Sequence, residues 1–320
     1  MKRLEMKCDI NKQNQIARVA WLYYVAGKTQ LEIGHILGLS RQIVQRLLSS
    51  AKECGIVNVQ IMHPISECME LAEKLQDKFN LSLCRVIPSL GLEKEAIDEM
   101  IAIEGANVME SYIQQDEPLT IGVGSGKTLS NIIDVLPYTD HPQHVCVSLI
   151  GAIASDGSAT RYDVPLKLAE KIQCKYYILP APLYADSAQD KQIWSQHKAY
   201  QIVKNKAEQA QVIFTGIGEI GIGCPLNTEK FLTDNDINKL CQLNTVAELL
   251  GCFINDQGEY FANPFDEMTT SIRLTKKMPA SIIGFASGTH KYQAIHAVLR
   301  GGLLDGLVTD EQTAMQLLQD

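Results

Sequence analysis

The stretch LTIGVGSGKTL, residues 119–129, joins an apolar run, a glycine turn and the start of a helical pattern. It looks like a nucleotide-binding loop, but a Walker A sequence needs a glycine, four residues and then Gly-Lys-Ser/Thr. Counting back from Gly126, the required glycine would fall at Ile121, and Gly122 leaves only three residues between. The stretch therefore predicts a strand that turns directly into a helix, whose first N–H groups could hold a single anionic group.

The same alternation continues on both sides of this stretch. Short apolar runs predict strands at 83–87, 118–123, 145–150, 175–179, 212–215, 281–286 and 306–309. Helical patterns lie between them, near 93–114, 128–136, 164–172, 191–210, 290–299 and 311–318. Alternation of this kind predicts an α/β domain with a mostly parallel, Rossmann-like sheet covered by helices on both faces. Ligands of such sheets bind outside the carboxyl ends of the strands.

Four loops that contain glycine lie at the ends of predicted strands, at 124–128, 150–152, 215–223 and 286–291. The third contains GxGxxG, but Cys224-Pro225 follows and we expect no helix to open there, so a dinucleotide site fails its context test. The first and fourth loops are alike, because each has small residues and a lysine before a helix. Lys127 and Lys291 could be solvated surface lysines, but together they favour a basic pocket for a phosphate or another small anion.

Charge divides the chain into a basic head and an acidic body. Residues 1–62 carry nine Lys/Arg and four Asp/Glu, which leaves 20 basic and 33 acidic side chains in residues 63–320. A chain of 320 residues has room for one small and one large domain, and we place the boundary between residues 62 and 63. A basic head suits contact with a polyanion, whereas an acidic body avoids it.

The composition favours a cytoplasmic protein. No run of 18 apolar residues is present, and the start MKRLEMKCDINKQNQ lacks the apolar core of a signal peptide. The nine cysteines form no CxxC pair and no closely spaced Cys/His set. We therefore expect reduced thiols and no metal site.

The head contains three helical patterns within residues 15–55. Gly27 closes the first helix, Thr29 and Glu32 form a capping box for the second, and Ser40 caps the third after a turn at Gly38-Leu39. The positions predicted to face inward are Ile16, Val19, Ala20, Tyr23, Ile33, Ile36, Leu37, Ile43, Val44, Leu47 and Leu48. A strand-like alternation at 57–61 could form a wing.

This pattern predicts a helix-turn-helix whose third helix presents polar side chains to the major groove. Gln can pair with adenine, and Arg with guanine or a phosphate. The residues expected at the DNA interface are Thr29, Gln30, Ser40, Arg41, Gln42, Gln45 and Arg46. The alternative is a three-helix subdomain that packs on the body and touches no DNA, which the basic charge disfavours.

With these features in place, the chain resembles the SorC family of bacterial sugar-binding transcriptional regulators. The resemblance rests on ARVAWLYYVAGKTQLEIGHILGLSRQIVQRLLSSAKECGIVNVQI in the head, IGVGSGKTL, LPAPLYADSA, TGIG and VAELLGCFINDQG in the body, and the tail GFASGTHKYQAIHAVLRGGLLDGLVTDEQTA. It implies a winged helix-turn-helix and an effector domain related in fold to sugar-phosphate isomerases and deaminases. The LsrR-like branch, which senses phosphorylated autoinducer-2, looks most similar.

The resemblance also implies a set of effector-binding residues. Lys291 and the 287–289 loop would hold the effector phosphate, residues 124–128 would line the pocket beside it, and the 247–255 segment would face the sugar hydroxyls. The full expected set is Gly122, Gly124, Ser125, Gly126, Lys127, Thr128, Gly151, Glu248, Asn255, Ser287, Gly288, Thr289 and Lys291. The family usually has Gly-Asp where this chain has Ala247-Glu248, and Asp where it has Asn255.

The rival interpretation is a sugar-phosphate isomerase or deaminase on the same scaffold. Such an enzyme needs a general base beside the sugar carbons. Glu219, Glu248 and Asp186 are candidates, but they are explained as well by contacts with hydroxyl groups or by surface charge. We therefore expect a regulator, most simply a repressor, with no cofactor and no catalytic residue. Its expected partners are double-stranded operator DNA, a phosphorylated sugar or polyol, and further copies of itself in a dimer or tetramer.

Overall fold

The structure is a computed structural model that describes the backbone of residues 2–57, 64–153 and 163–319. The chain divides into two compact units, Met1–Met62 and His63–Asp320. Within the described ranges, no helix is both long enough and apolar enough to cross a bilayer.

Residues 2–57 of the first unit contain three helices, α1 (Lys2–Tyr24), α2 (Gln30–Leu37) and α3 (Arg41–Glu53). The capping box of Thr29 and Glu32 is confirmed, and Ser40 caps α3 by accepting a hydrogen bond from Ile43 N at 3.3 Å. Gly38 ends α2 with a φ of +65°, a left-handed conformation that glycine adopts without strain. The shared core is apolar and consists of Ile16, Val19, Ala20, Ile33, Val44, Leu47, Leu48 and Ala51.

The prediction that three further residues face this core is wrong. Tyr23, Ile36 and Ile43 are 37%, 55% and 42% exposed. In a bundle of three short helices each helix buries only a narrow stripe, so an apolar residue at the edge of the pattern stays in solvent. The wing expected at 57–61 falls on residues 58–61, which lie outside the described ranges.

The second unit is built on a seven-stranded sheet in which every neighbouring pair is parallel. In chain order the strands are β1 (Leu83–Ile87), β2 (Thr120–Val123), β3 (Val145–Ile153), β4 (Lys175–Pro182), β5 (Val212–Gly216), β9 (Ser281–Phe285) and β10 (Gly306–Asp310), and the labels β6 to β8 belong to a second sheet given below. Their spatial order is β1-β10-β9-β5-β2-β3-β4. All seven predicted strands are confirmed, as is the parallel sheet.

Helices cover both faces of this sheet. Buried side chains of α5 (Lys94–Ile113), α6 (Lys127–Val135) and α7 (Val164–Lys171) share one apolar cluster with the sheet. Those of α4 (Pro64–Phe79), α9 (Lys198–Glu208), α12 (Tyr292–Arg300) and α13 (Glu311–Gln319) share the other. The single helix expected over 191–210 is instead two, α8 (Ala188–Gln196) and α9, because His197 is extended.

A second, antiparallel sheet was not predicted from the sequence. It consists of β6 (Gly218–Glu219), β7 (Thr245–Leu249) and β8 (Cys252–Asn255) in that order. A two-residue turn joins the last two strands, and both of its residues, Leu250 and Gly251, have positive φ. Such turns usually carry Asn-Gly or Asp-Gly, so a leucine at the first position conceals the hairpin.

The loop with the GxGxxG pattern also differs from its prediction. A short helix, α10 (Pro225–Thr228), does begin after Cys224, so the expectation that no helix opens there is wrong. A further helix, α11 (Asp234–Gln242), follows. The glycines nevertheless form no strand-to-helix turn, since Gly218 and Glu219 pair with β7 as a strand.

Candidate functional site

A cavity of about 160 Å³ lies beside the carboxyl ends of β2 and β5. Its wall combines the first turn of α6, the segment after β5, α10 and the loop behind it, the β7–β8 hairpin and the lysine before α12. The lining residues are Ser125, Gly126, Lys127, Thr128, Leu129, Ile150, Leu183, Thr215, Gly216, Ile217, Gly218, Glu219, Pro225, Leu226, Glu229, Phe231, Glu248, Leu250 and Lys291.

The first turn of α6 forms one side of the cavity. Gly126 is its N-cap with a φ of +120°, and as a glycine it has no side chain with which to cap the helix. The first hydrogen bond within the helix runs from Ser130 N to Gly126 O at 3.0 Å, so the N–H groups of residues 127–129 precede the helical ladder. With the helix dipole they give this wall a partial positive charge.

Lys291 supplies a second positive group. Its side chain is part-buried, and Nζ donates a hydrogen bond to Ile217 O at 3.2 Å. Burial lowers the pKa of Lys291, an effect that the nearby Glu219 carboxylate opposes. An ammonium group that has lost part of its water gains more from an anionic ligand than a fully hydrated one does.

Three carboxylates line the same cavity, and two of them, Glu248 and Glu219, have interactions that bear on a ligand. Glu248 lies in β7 opposite Gly218. A Cβ atom added to Gly218 would collide with the carboxylate of Glu248. Burial raises the pKa of Glu248, whereas the hydrogen bond from Gly251 N and the charge of Lys291 act the other way. Glu219 Oε1 lies 3.8 Å from His290 Nε2. In the described ranges, no three His, Cys, Asp or Glu side chains are grouped to hold a metal ion.

The structure brings six of the thirteen expected effector residues to this cavity: Ser125, Gly126, Lys127, Thr128, Glu248 and Lys291. Seven others do not line it: Gly122, Gly124, Gly151, Asn255, Ser287, Gly288 and Thr289. Of the two lysines, Lys127 is exposed and Lys291 is partly enclosed.

Three of these glycines serve packing. A Cβ atom at Gly122 would lie 2.8 Å from Ile213 Cγ1, and one at Gly124 would lie 2.9 Å from Leu250 Cδ2. A Cβ atom at Gly151 would lie 2.5 Å from Pro182 O. The distance at Gly151 is to backbone and leaves no room for a larger residue, whereas at Gly122 and Gly124 the neighbouring side chain would have to shift.

The 287–289 loop and Asn255 are engaged elsewhere. Gly288 N donates to Asp310 Oδ2 at 2.7 Å and to Thr313 Oγ1 at 3.1 Å, so this N–H group is already satisfied within the protein. Asn255 Oδ1 accepts hydrogen bonds from Gln257 N at 3.0 Å and Glu259 N at 2.9 Å, which fixes the turn after β8.

The cavity also includes residues that sequence reasoning did not assign to the effector. The sequence indicated Glu219 only as a candidate general base, a contact for hydroxyl groups or a surface charge, and gave no role to Leu226, Glu229 or Phe231. The closely spaced glycines of Thr215–Gly223 were the sequence signal for this part of the cavity, because glycines after a strand often mark a place where a ligand or another backbone approaches closely. The α10 segment carries no comparable signal.

In the first unit, the third helix presents the predicted polar face to solvent. Arg41, Gln42, Gln45 and Arg46 are all exposed. Thr29 and Ser40, also in the predicted set, act as the caps of α2 and α3, and Gln30 is the first residue of α2. Two short capped helices around a Gly38 turn, with arginines and glutamines along the second, have the chemistry of a major-groove reader.

A helix-turn-helix unit followed by an α/β unit with a small cavity, which combines lysine and carboxylate side chains with apolar ones, defines the class: a DNA-binding regulator that responds to a small molecule. A protein-family profile described as "Putative sugar-binding domain" matches residues 63–319. The chain belongs to this family, the SorC family of sugar-binding transcriptional regulators.

Two curated relatives agree with this membership. The chain is 32% identical over 302 residues to the erythritol catabolism regulatory protein EryD of Brucella abortus, covering 94% of this chain and 95% of the relative. It is 30% identical over 313 residues to the transcriptional regulator LsrR of Escherichia coli K12, covering 96% and 95%. The predicted regulator function is confirmed, and the enzyme alternative is disfavoured because these relatives are regulators.

Solved structures agree on the fold. The full-length sorbitol operon regulator SorC from Klebsiella pneumoniae is 25% identical, with a TM-score of 0.72 over 95% of this chain and 98% of that one. A DeoR family transcriptional regulator from Listeria monocytogenes is similar in fold, with a TM-score of 0.70 over 78% of this chain and 21% identity. The family implies DNA binding and a sugar effector.

Proposed function

We propose that this regulator is a repressor that binds a phosphorylated sugar or polyol in the cavity between α6, the β7–β8 hairpin and Lys291, and that the ligand controls operator binding by the first unit. One observation carries the proposal. A single small cavity holds a helix N-terminus whose N-cap is a glycine, a partly buried lysine and three carboxylates. That combination suits a ligand with one anionic end and several hydroxyl groups.

The phosphate is assigned to the first turn of α6. Its N–H groups and the Thr128 side chain offer hydrogen-bond donors, and the helix dipole favours a negative charge at the same point. Helix N-termini hold phosphates in this way. Lys291 Nζ, which now donates to Ile217 O, would turn to the ligand as a charge-assisted donor. The 287–289 loop is left out of this assignment because Gly288 N already donates to Asp310.

The hydroxyl groups are assigned to the carboxylates of the cavity. Glu248 and Glu219 carry acceptor oxygens there, and Ile150, Leu183 and Leu250 close the cavity with apolar surface. A carboxylate that accepts from a hydroxyl group discriminates strongly against an analogue that lacks it, since the acceptor is then left buried and unpaired.

Operator binding is assigned to α3, with Arg41, Gln42 and Gln45 at the groove and Arg46 toward a phosphate. Helix-turn-helix regulators commonly act as dimers whose two reading helices meet half-sites about one helical turn apart. We therefore propose a homo-oligomer, a dimer or a tetramer. The effector would favour the arrangement that binds DNA less well, with a coupling of roughly 1–3 kcal/mol.

Calorimetric titration of the full chain tests the ligand assignment. The panel contains sugars and polyols of four to six carbons, each offered with and without a phosphate. We expect binding only by phosphorylated members, with at least about a tenfold gain over the matched unphosphorylated compound. Equal affinity for the two forms would contradict the phosphate assignment without touching the regulator function.

Fluorescence anisotropy on a labelled upstream DNA fragment tests the other half. Arg41→Ala and Gln45→Ala should each weaken binding by about 1–3 kcal/mol, while the best ligand binds as before. Arg300→Ala, an exposed arginine of the second unit, is the matched control and should leave DNA affinity unchanged. If the α3 variants bound DNA like the parent chain, the reading face would lie elsewhere.

A further inference from the structure

Two cysteines lie together on one face of the main sheet, away from the cavity. Cys146 is in β3, and Cys174 immediately precedes β4, the neighbouring edge strand. Their Sγ atoms are 3.3 Å apart. A disulfide has an S–S distance of about 2.05 Å, so the sulfur atoms would have to approach by roughly 1.2 Å.

From this pair we infer a modification site: Cys146 and Cys174 form a reversible disulfide when the protein meets a peroxide. The cysteine pattern predicted reduced thiols, because no CxxC spacing is present. The contact arises only in the fold, where adjacent strands bring together residues 28 positions apart.

The two thiols differ in the way that such a reaction requires. Cys146 is buried in the apolar cluster beneath α5 to α7, whereas Cys174 is partly exposed at the sheet edge. The hydrogen bond with Cys146 lowers the pKa of Cys174, and the pKa of Cys146 is raised by the same bond and by burial. The accessible sulfur is thus the better thiolate, and thiolates react with peroxides.

The chemistry balances with the peroxide as the oxidant. The Cys174 thiolate attacks one peroxide oxygen, the O–O bond breaks, and Cys174 becomes a sulfenic acid as water leaves. Cys146 then attacks Cys174 Sγ, the S–S bond forms, and the sulfenic oxygen leaves as a second water. The two thiols lose two electrons and two protons, and one peroxide is reduced to two waters.

The backbone around Cys174 permits the required movement. Gln173, the preceding residue, has a φ of +54° in the turn between α7 and β4, and β4 has a neighbour on one side only. A short shift at the start of an edge strand disturbs fewer ladder hydrogen bonds than one inside the sheet. Because Cys174 N donates to Ala169 O at 3.0 Å, we expect the Cys174 side chain and the adjoining turn to make the approach while Cys146 stays in place.

Peptide mapping of the full chain tests the inference. The protein is treated with hydrogen peroxide, unreacted thiols are alkylated after denaturation, and the digest is read without reduction. We expect a cross-linked peptide that joins Cys146 to Cys174, lighter by two hydrogen atoms than its parts, which dithiothreitol converts back to two alkylatable thiols. The cross-link should persist in Cys241→Ser, where an exposed cysteine is removed.

Cys174→Ser should abolish the cross-link, and because that position is partly exposed we expect the variant to fold. Cys146→Ala should instead let Cys174 accumulate as a sulfenic acid that dimedone traps. The inference is overturned if both thiols of the parent chain remain alkylatable after peroxide, or if Cys174 is oxidised to a sulfinic acid without any cross-link to Cys146.

Discussion

The loops at 124–128 and 287–291 are alike in sequence and different in structure. Each follows a central strand and brings glycine and a lysine to the start of a helix. The first loop leaves its helix N-terminus with a glycine N-cap at the cavity, whereas the second gives the N–H group of Gly288 to Asp310 and Thr313. Only Lys291 of the second loop reaches the cavity.

The neighbouring strands explain the difference. The loop after β9 lies beside the end of β10, and β10 ends in Asp310, a buried carboxylate that accepts four hydrogen bonds. The loop after β2 lies between the ends of β3 and β5, where Thr215 instead donates to its own neighbour, Gly216 O. In the first loop Gly124 N donates to Phe214 O of β5, but the N–H groups at the start of α6 precede the helical ladder, whereas in the second loop Asp310 engages Gly288 N.

The largest expected effect comes from removing the acceptor that closes the second loop. Asp310→Asn keeps the size and shape of the side chain but removes its charge. Gly288 N and Thr313 Oγ1, which donate to Asp310 Oδ2, would then meet either an amide NH₂ group, which cannot accept, or a neutral amide oxygen, which accepts more weakly. We expect the free energy of unfolding to fall by about 3 kcal/mol, since buried donors lose a charged partner. Urea titration followed by circular dichroism measures it.

Asp134→Asn is the matched control for this change. Asp134 is 60% exposed and pairs with Lys167 at the surface, so the loss should stay below about 1 kcal/mol. Similar losses in both variants would mean that Asp310 is not what fixes the second loop.

The next effect separates the two lysines. Lys291→Met should weaken binding of the phosphorylated ligand by about 30- to 300-fold, because the ligand phosphate loses a partly buried cationic partner. Lys127→Met should cost less than about fivefold, since Lys127 is exposed and its charge is screened by water. Calorimetric titration of both variants with the same ligand gives the ratio, and equal losses would show that the lysines play the same part.

A smaller effect is expected from the two glycines. Gly126 and Gly288 have φ of +120° and +100°, so alanine strains the backbone at either position by about 1–2 kcal/mol. A Cβ atom at Gly288 would also lie 2.5 Å from His290 Cε1, whereas none meets an atom within 4 Å at Gly126. Thermal unfolding should therefore show a larger loss for Gly288→Ala.

Ligand affinity should show the reverse order for these variants. The first turn of α6 is the proposed phosphate site, so Gly126→Ala should weaken binding more than Gly288→Ala does. If Gly288→Ala weakened binding more, the phosphate would belong to the 287–289 loop, as the family resemblance implied.

The smallest expected effect concerns pH and the carboxylate facing Lys291. The pKa of Glu248 is raised in the folded chain, so folding favours the protonated carboxyl group. The stability that this protonation contributes is therefore lost as the pH rises from about 4.5 through the pKa of the folded state. Glu248→Gln removes this pH dependence, because glutamine does not titrate. The difference in unfolding free energy between the variant and the parent should grow in favour of the variant from pH 4.5 to 8, and a difference that stayed flat would contradict it.

Local sequence was sufficient for much of the fold. Apolar runs bounded by turn residues located the seven strands, and the capping box of Thr29 and Glu32 located α2, because these signals depend on neighbours a few residues apart. The β7–β8 hairpin was not predicted because its turn has Leu250 at a position with positive φ. Leucine is not one of the residue types that indicate such a turn. His197 similarly broke a pattern that read as one helix.

The sequence by itself determined the class of this protein: a capped helix-turn-helix with a polar reading helix, followed by a parallel α/β sheet with glycine loops at its ligand-binding edge. Only the tertiary structure decided which loop lines the cavity and which thiols meet. Strand order sets those neighbours, as when β10 places Asp310 beside Gly288, 22 residues away in the chain. Hydrogen-bond competition between residues so far apart leaves no periodic trace in the sequence.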